Sequence, residues 1–100
     1  MRIQSIGASA LIAAIALSQP AFANCDEVSF ADVGWTAETA TTAMSGMILE
    51  AMGYEVDIKV LSIPVTYTSM ANGDIDAFLG NWMPSMAADI KPYTDDGSVE

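Results

Sequence analysis

Two tryptophans occupy matching places in the sequence, each just beyond a short apolar segment of the kind that forms a buried strand. Trp35 follows the segment 28–34, and Trp82 follows the segment 75–79 inside the stretch 80–84, GNWMP. A quaternary ammonium ion has no N–H to donate, so it is held by the negative faces of aromatic rings, each worth roughly 0.5–2 kcal/mol when water is excluded. The two indoles are therefore predicted to face each other as two walls of one ligand pocket.

Two tyrosines are weaker candidates for the same pocket. A single aromatic residue is more often part of a core than part of a ligand site, so the pairing of the tryptophans carries the interpretation. Tyr67 falls within a predicted helix, where packing is the simpler role, and Tyr93 follows a proline, where a surface position is expected. Both are kept as possible additions to an aromatic box around Trp35 and Trp82.

The sequence offers little for catalysis. It contains no histidine, which removes the usual Ser-His and Cys-His arrangements. No nucleophile-elbow, Walker A or dinucleotide-binding glycine motif occurs. Asp74 and Asp76 flank the start of a predicted strand and are expected to be solvent-facing, and the segment 95–97, DDG, lacks the spacing of a calcium loop. No catalytic residue, metal site or cofactor is predicted.

The charge balance limits the partners. Three basic residues stand against 13 acidic ones, giving a formal net charge of −10. Nucleic acid is excluded as a partner because contact with phosphates requires Lys and Arg. A negative field slightly favours cationic ligands, although it is equally typical of a self-repelling, soluble surface.

The first 23 residues read as a secretory signal peptide. Arg2 is the only charge before an apolar run at 8–17, which is too short for a membrane helix of about 20 residues. The A-x-A triplet at 21–23 is a typical cleavage site, so cleavage is predicted after Ala23 and the protein is expected in the periplasm. A membrane-spanning helix and a lipid anchor on Cys25 are the alternatives, and the second lacks the small residue needed before the cysteine.

Strands and helices alternate through the mature part, residues 24–100. The patterns predict strands at 27–33, 54–61 and 75–79, and helices at 37–52, from 63 to a turn at 72–74, and at 85–91, where Pro92 is expected to end the last helix. This β-α-β-α-β-α order predicts an α/β lobe with a parallel sheet of strand order 2-1-3. Ligands bind such sheets beyond the carboxyl ends of the strands, at the switch point where the tryptophans fall.

One face of the helix predicted at 37–52 is apolar and rich in methionine. Its members are spaced at helical intervals: Ala40, Ala43, Met44, Met47, Ile48, Ala51 and Met52. This stripe is predicted to pack in the core, and a methionine metal site is the rarer alternative.

Five stretches carry a resemblance to a known family. They are 33–36 (VGWT), 39–42 (TATT), 49–54 (LEAMGY), 65–69 (VTYTS) and 78–84 (FLGNWMP). From Cys25 to Glu100 the sequence resembles the N-terminal part of choline-binding members of the glycine betaine/choline substrate-binding family of ABC importers. The resemblance implies a type II periplasmic binding fold, in which two α/β lobes close on the ligand and residues 24–100 form the N-terminal part of the first lobe.

The same resemblance assigns roles to particular residues. Trp35 and Trp82 align with the two box tryptophans of the first lobe, and the remaining aromatics would come from the second lobe. Cys25 aligns with a cysteine expected to form a disulfide with a partner outside this chain. The implied function is a non-catalytic periplasmic receptor, monomeric at full length, which delivers choline to an inner-membrane ABC permease.

One position departs from the pattern. The choline-binding branch is expected to carry an aspartate facing the cation two residues after the first tryptophan, and here that residue is Ala37, followed by Glu38. Glu38 either takes over as a ligand-binding acid or is a solvated first-turn acid that complements the helix dipole. The departure keeps glycine betaine or proline betaine open as the ligand. An exported α/β enzyme with its catalytic residues elsewhere, and a stand-alone interaction protein, are the alternatives from other classes.

Overall fold

The computed structural model of the chain describes residues 26–100. The predicted signal peptide, its cleavage site and Cys25 with its predicted disulfide lie outside the described residues. Across 26–100, no helix combines the length and the apolar character needed to cross a membrane.

Three strands and three helices alternate along the described chain, as predicted. They are β1 (Glu27–Asp32), α1 (Thr36–Ala51), β2 (Glu55–Val60), α2 (Ile63–Ala71), β3 (Ala77–Phe78) and α3 (Ala87–Asp95). The strands form one parallel sheet in the order β2-β1-β3, which confirms the predicted α/β class and the predicted strand order. The third strand is shorter than the predicted 75–79, and only two of its residues pair with β1.

The central strand is the most buried element. Phe30 and Ala31 are almost inaccessible to solvent, as expected for a strand that pairs on both sides. Behind them, Tyr67 of α2 packs edge-on against Phe78 of β3 and stacks on Tyr93 of α3, with ring centroids 5.9 and 6.0 Å away. The core therefore lies between the sheet and the pair of helices α2 and α3.

Helix α1 presents its small, polar face to the rest of the molecule. Its buried residues are Glu38, Thr42 and Gly46, which are spaced one turn apart. Gly46 permits a close approach to β2, since a Cβ at this position would lie 3.2 Å from Val56 Cγ1.

The predicted packing of the methionine stripe is wrong for the described residues. Its four largest members, Met44, Met47, Ile48 and Met52, are each between 61 and 68% exposed. The reason is that the opposite face, with a glycine and two hydrogen-bonding side chains, fits more closely against the sheet. Helical periodicity shows that a face is apolar but does not show which neighbour covers it.

The prediction that Pro92 ends the last helix is also wrong. Pro92 lies inside α3, which continues to Asp95. The missing N–H of a proline removes one helical hydrogen bond, but contacts beyond it keep the chain helical. Tyr93 stacks on Tyr67, and its carbonyl oxygen accepts hydrogen bonds from the N–H groups of Ser98 and Val99.

Candidate functional site

The two tryptophans lie side by side at the carboxyl ends of adjacent strands. Ala31 of β1 and Phe78 of β3 are register partners, and each tryptophan follows its own member of that pair by the same number of residues. Because the strands are parallel, both chains leave the sheet at one edge. The ring centroids of Trp35 and Trp82 are consequently 5.0 Å apart.

The indoles form a corner rather than a sandwich. Their planes are inclined by 49°, whereas the sequence pattern predicted rings that face each other. An ion held between two rings must fit at contact distance from both of them. The ring centroids are only 5.0 Å apart, which leaves no room for an ion between them. Tilted rings, however, can both be touched by one ion from the open side of the corner. Trp82 is 53% exposed and Trp35 is half-buried, so the pair is partly accessible in the described residues.

A tight turn holds Trp35 at the end of β1. Gly34 has a φ of +83°, which a glycine adopts without strain. Its N–H donates a hydrogen bond of 2.6 Å to Asp32 Oδ1, and the Thr39 hydroxyl donates to the same oxygen at 2.8 Å. Helix α1 begins at once, because Thr39 N–H donates to the carbonyl oxygen of Trp35 at 2.7 Å. Asp32 thus fixes the turn to the first turn of the helix.

A different set of contacts holds Trp82. Its backbone N–H donates to Met86 Sδ at 3.3 Å, and Met86 N–H donates back to the Trp82 carbonyl oxygen at 2.9 Å. The preceding residue, Asn81, accepts a hydrogen bond of 2.7 Å from the hydroxyl of Tyr67. Met86 and Tyr67 are both buried, so the turn is attached to the core on two sides. The peptide bond between Met83 and Pro84 within this turn is cis.

Glu38 is buried between the two turns. Its side chain is 2% exposed, so the alternative of a solvated first-turn acid is wrong. Its carboxylate accepts hydrogen bonds of 3.2 Å from Val33 N–H and from the Thr42 hydroxyl. Its Cγ packs beneath Gly80, where an added Cβ would approach it to 2.7 Å.

Asp32 and Glu38 are neighbouring acids that shift each other's pKa. Burial raises the pKa of Glu38, and the hydrogen bond to the neighbouring carboxylate of Asp32 raises it further. Burial would also raise the pKa of Asp32, but hydrogen bonds from Gly34, Thr39 and Glu38 outweigh that effect and lower it. The two pKa shifts run in opposite directions, so Glu38 takes up a proton more readily than Asp32.

The tyrosines weighed for the aromatic box do not contact the tryptophan pair through their rings. Tyr67 is 1% exposed and belongs to the core, and Tyr93 stacks against it. Sequence reasoning missed three residues that position the indoles: Asp32, Asn81 and Met86. Asp32 carried a usable signal, because an aspartate two residues before a glycine often accepts that glycine's N–H in a turn.

Comparisons with known proteins find one family model, two solved structures and one uncharacterized relative. The family model for the substrate binding domain of ABC-type glycine betaine transport systems matches residues 26–100. An ABC-transporter choline binding protein solved in complex with choline is 67% identical, with a TM-score of 0.72. The same kind of protein solved in an unliganded semi-closed conformation is 65% identical, with a TM-score of 0.69. The uncharacterized protein ORF1 of Chromohalobacter salexigens is 50% identical over 93 residues.

The chain is shorter than these relatives. The two structural alignments cover 73 and 75% of this chain but only 25 and 26% of the solved chains. The alignment with ORF1 covers 92% of this chain and 60% of that protein.

Proposed function

Because this chain belongs to the substrate binding domain family of ABC-type glycine betaine transport systems, we propose that it forms the N-terminal part of the first lobe of a choline receptor. In this role residues 24–100 supply two aromatic walls of a box that a second lobe completes. The receptor is not an enzyme: it captures choline outside the cytoplasm and releases it to an inner-membrane ABC permease. A leader at residues 1–23 would direct its export.

The observation that carries this proposal is the corner formed by Trp35 and Trp82 at the switch point of the sheet. Each ring can contribute about 0.5–2 kcal/mol to holding a trimethylammonium group, and the larger value applies once a closing lobe excludes water. Trp82 is more than half exposed in the described residues, so its ring is accessible to a ligand.

Choline is favoured over betaines by two observations. The relative solved with choline shares 67% identity with this chain. The pKa of Asp32 is lowered, so its carboxylate at the end of β1 would also disfavour the carboxylate of a betaine. Ala37 stands where the sequence resemblance expects an aspartate, so a charge contributed from behind the site would matter more here. Direct contact between Glu38 and the ligand stays a prediction from the sequence.

Calorimetric titration of the full-length protein with choline tests the proposal. We expect Trp35→Ala and Trp82→Ala each to weaken binding about tenfold or more, as the loss of one desolvated cation–π contact requires. Tyr54→Ala is the matched control, since Tyr54 precedes β2 and lies at the opposite end of the sheet. Unchanged affinity in both tryptophan variants would refute the aromatic box.

Competition separates the remaining ligands. Glycine betaine and proline betaine are added to protein already saturated with choline, and displacement is followed by tryptophan fluorescence. We expect choline to be displaced only at a large excess of either betaine. Equal or tighter betaine binding would assign the receptor to the betaine branch.

A further inference from the structure

We propose that Glu38 is a positioning residue that couples the two indole-bearing turns and sets the angle between Trp35 and Trp82. It acts from behind the rings, without contact to the ligand. The role deepens the proposed function, on which its ligand-binding consequence rests. Its geometric consequence can be measured with no ligand present.

Glu38 reaches the Trp35 turn through the backbone. One carboxylate oxygen accepts the N–H of Val33, which lies beyond the last residue of β1 and two residues before Trp35. The other oxygen accepts the hydroxyl of Thr42, which is fully buried on the same helix face. These two bonds fix the direction of the Glu38 side chain. They also connect the start of α1 to the segment that carries the first indole.

Glu38 reaches the Trp82 turn through close packing. Gly80 is buried two residues before Trp82, and a Cβ on it would lie 2.7 Å from Glu38 Cγ and 2.8 Å from the ring of Phe78. The absence of a side chain at this position allows the second turn to rest directly on Glu38. The distance between the two turns is thus set by one side chain that contacts both.

The contacts of Glu38 need a side chain of its length more than they need its charge. One oxygen accepts the N–H of Val33, and the other is paired with the Thr42 hydroxyl. A glutamine has the same length, and its oxygen can accept from Val33 while its amide N–H donates to the oxygen of Thr42. Glu38→Gln therefore distinguishes a positioning role, which glutamine can fulfil, from a charge on Glu38 that acts directly on a cation.

The geometry can be read directly from circular dichroism. Two indoles in contact couple their electronic transitions, and the sign and size of the resulting far-ultraviolet couplet depend on their separation and inclination. At 5.0 Å and 49° the pair should give such a couplet in the ligand-free protein. A loss of fold alone can be recognised separately from the thermal unfolding midpoint.

The experiment compares Glu38→Gln, Glu38→Met and Glu38→Ala in the full-length protein. We expect Glu38→Gln to keep the couplet and to bind choline within about threefold of wild type. We expect Glu38→Ala to change the couplet and to weaken choline binding on the order of tenfold, because the partly buried N–H of Val33 loses its partner and the support beneath Gly80 is removed. Glu38→Met retains the volume but not the hydrogen bonds, so it should be intermediate and provides a folded test if the alanine variant unfolds.

Glu50→Gln is the matched control, since it changes an exposed acid on the same helix and should alter neither readout. If Glu38→Met and Glu38→Ala leave the couplet unchanged, the positioning role is overturned. If Glu38→Gln keeps the couplet but binds choline as poorly as the alanine variant, Glu38 acts through its charge on the ligand instead. If wild type shows the couplet but binds no choline, the proposed function fails while the geometric test still stands.

Discussion

The hydroxyl of Tyr67 donates a hydrogen bond of 2.7 Å to Asn81 Oδ1, which joins the middle of α2 to the residue that precedes Trp82. The tyrosine ring is held on both sides, by Phe78 and by Tyr93. Burial raises the pKa of this hydroxyl, and the nearby Asp89 raises it further, so it remains a donor at any physiological pH. A residue that periodicity assigns to packing thus also anchors the turn of an exposed indole.

Removing only this hydroxyl should weaken that anchor. Tyr67→Phe keeps the ring contacts but leaves Asn81 without its donor, at a cost of about 1 kcal/mol in the free energy of unfolding. We expect choline affinity in the full-length protein to fall by a few-fold as the Trp82 turn gains freedom. Chemical denaturation and calorimetric titration provide the two measurements. Tyr93→Phe is the control, because its bond to Thr68 is exposed and should contribute little. Equal effects from the two variants would contradict the anchoring role.

The cost of replacing Gly34 should depend on the backbone conformation that the new residue must adopt and not on the size of its side chain. A Cβ at this residue would meet no atom within 4 Å, so only its φ of +83° opposes a side chain. We expect Gly34→Ala to lower the free energy of unfolding by about 1–2 kcal/mol. Gly34→Asn should cost less, because asparagine enters the left-handed region more readily. Denaturation curves of both variants check this order, and a larger loss for asparagine would indicate a steric cause instead.

The sequence was sufficient for the order of elements and the family. The alternation of Val56 with Asp57 and the helical spacing after Trp35 each reflect a local rule, so strands, helices and the 2-1-3 order could be predicted. The predicted resemblance to the glycine betaine/choline family is confirmed by the family model and by the solved relatives. The proximity of the indoles followed from parallel topology, because residues at equivalent strand ends must meet.

The details of the site did not follow from the sequence. The 49° angle between Trp35 and Trp82 follows from no local rule of the sequence. The side chains that contact the two turns include Glu38 and Met86, and each is distant in sequence from one of the two rings. The burial of Glu38 could not be foreseen from its first-turn position, which usually faces solvent. It depends on Gly80, whose missing side chain opens the space.

The carboxyl group of Asp76 should make the stability of the fold depend on pH. The N–H and hydroxyl of Ser29 both donate to Asp76 Oδ2 at 2.8 Å, and these bonds lower the pKa of the carboxyl group. Because its pKa is lower in the folded state, this stabilisation is complete above the unfolded pKa of about 3.9 and is lost as the pH falls through the folded value. We therefore expect Asp76→Asn to be less stable than wild type at neutral pH and to lose less stability on acidification.

Denaturation midpoints measured from pH 7 down to about pH 3 check this expectation across the range where carboxylates titrate. Asp74→Asn is the control, since Asp74 reaches Ser29 through its backbone oxygen. Parallel pH profiles for wild type and Asp76→Asn would show that the carboxylate does not contribute to the pairing of β1 with β3.

The exposed apolar face of α1, formed by Met44, Met47, Ile48 and Met52, should control the behaviour of this lobe in isolation. Contiguous apolar surface of this kind promotes association when nothing covers it. We expect residues 26–100 produced alone to self-associate in light scattering, and Met47→Glu with Met52→Lys to reduce the associated fraction. Met47→Leu with Met52→Leu is the control that keeps the surface apolar. In the full-length protein the charged pair should instead lower the unfolding temperature, because a face covered by further chain would then bury two charges. An isolated lobe that stays monomeric at high concentration would contradict this account, since the face would then need no cover.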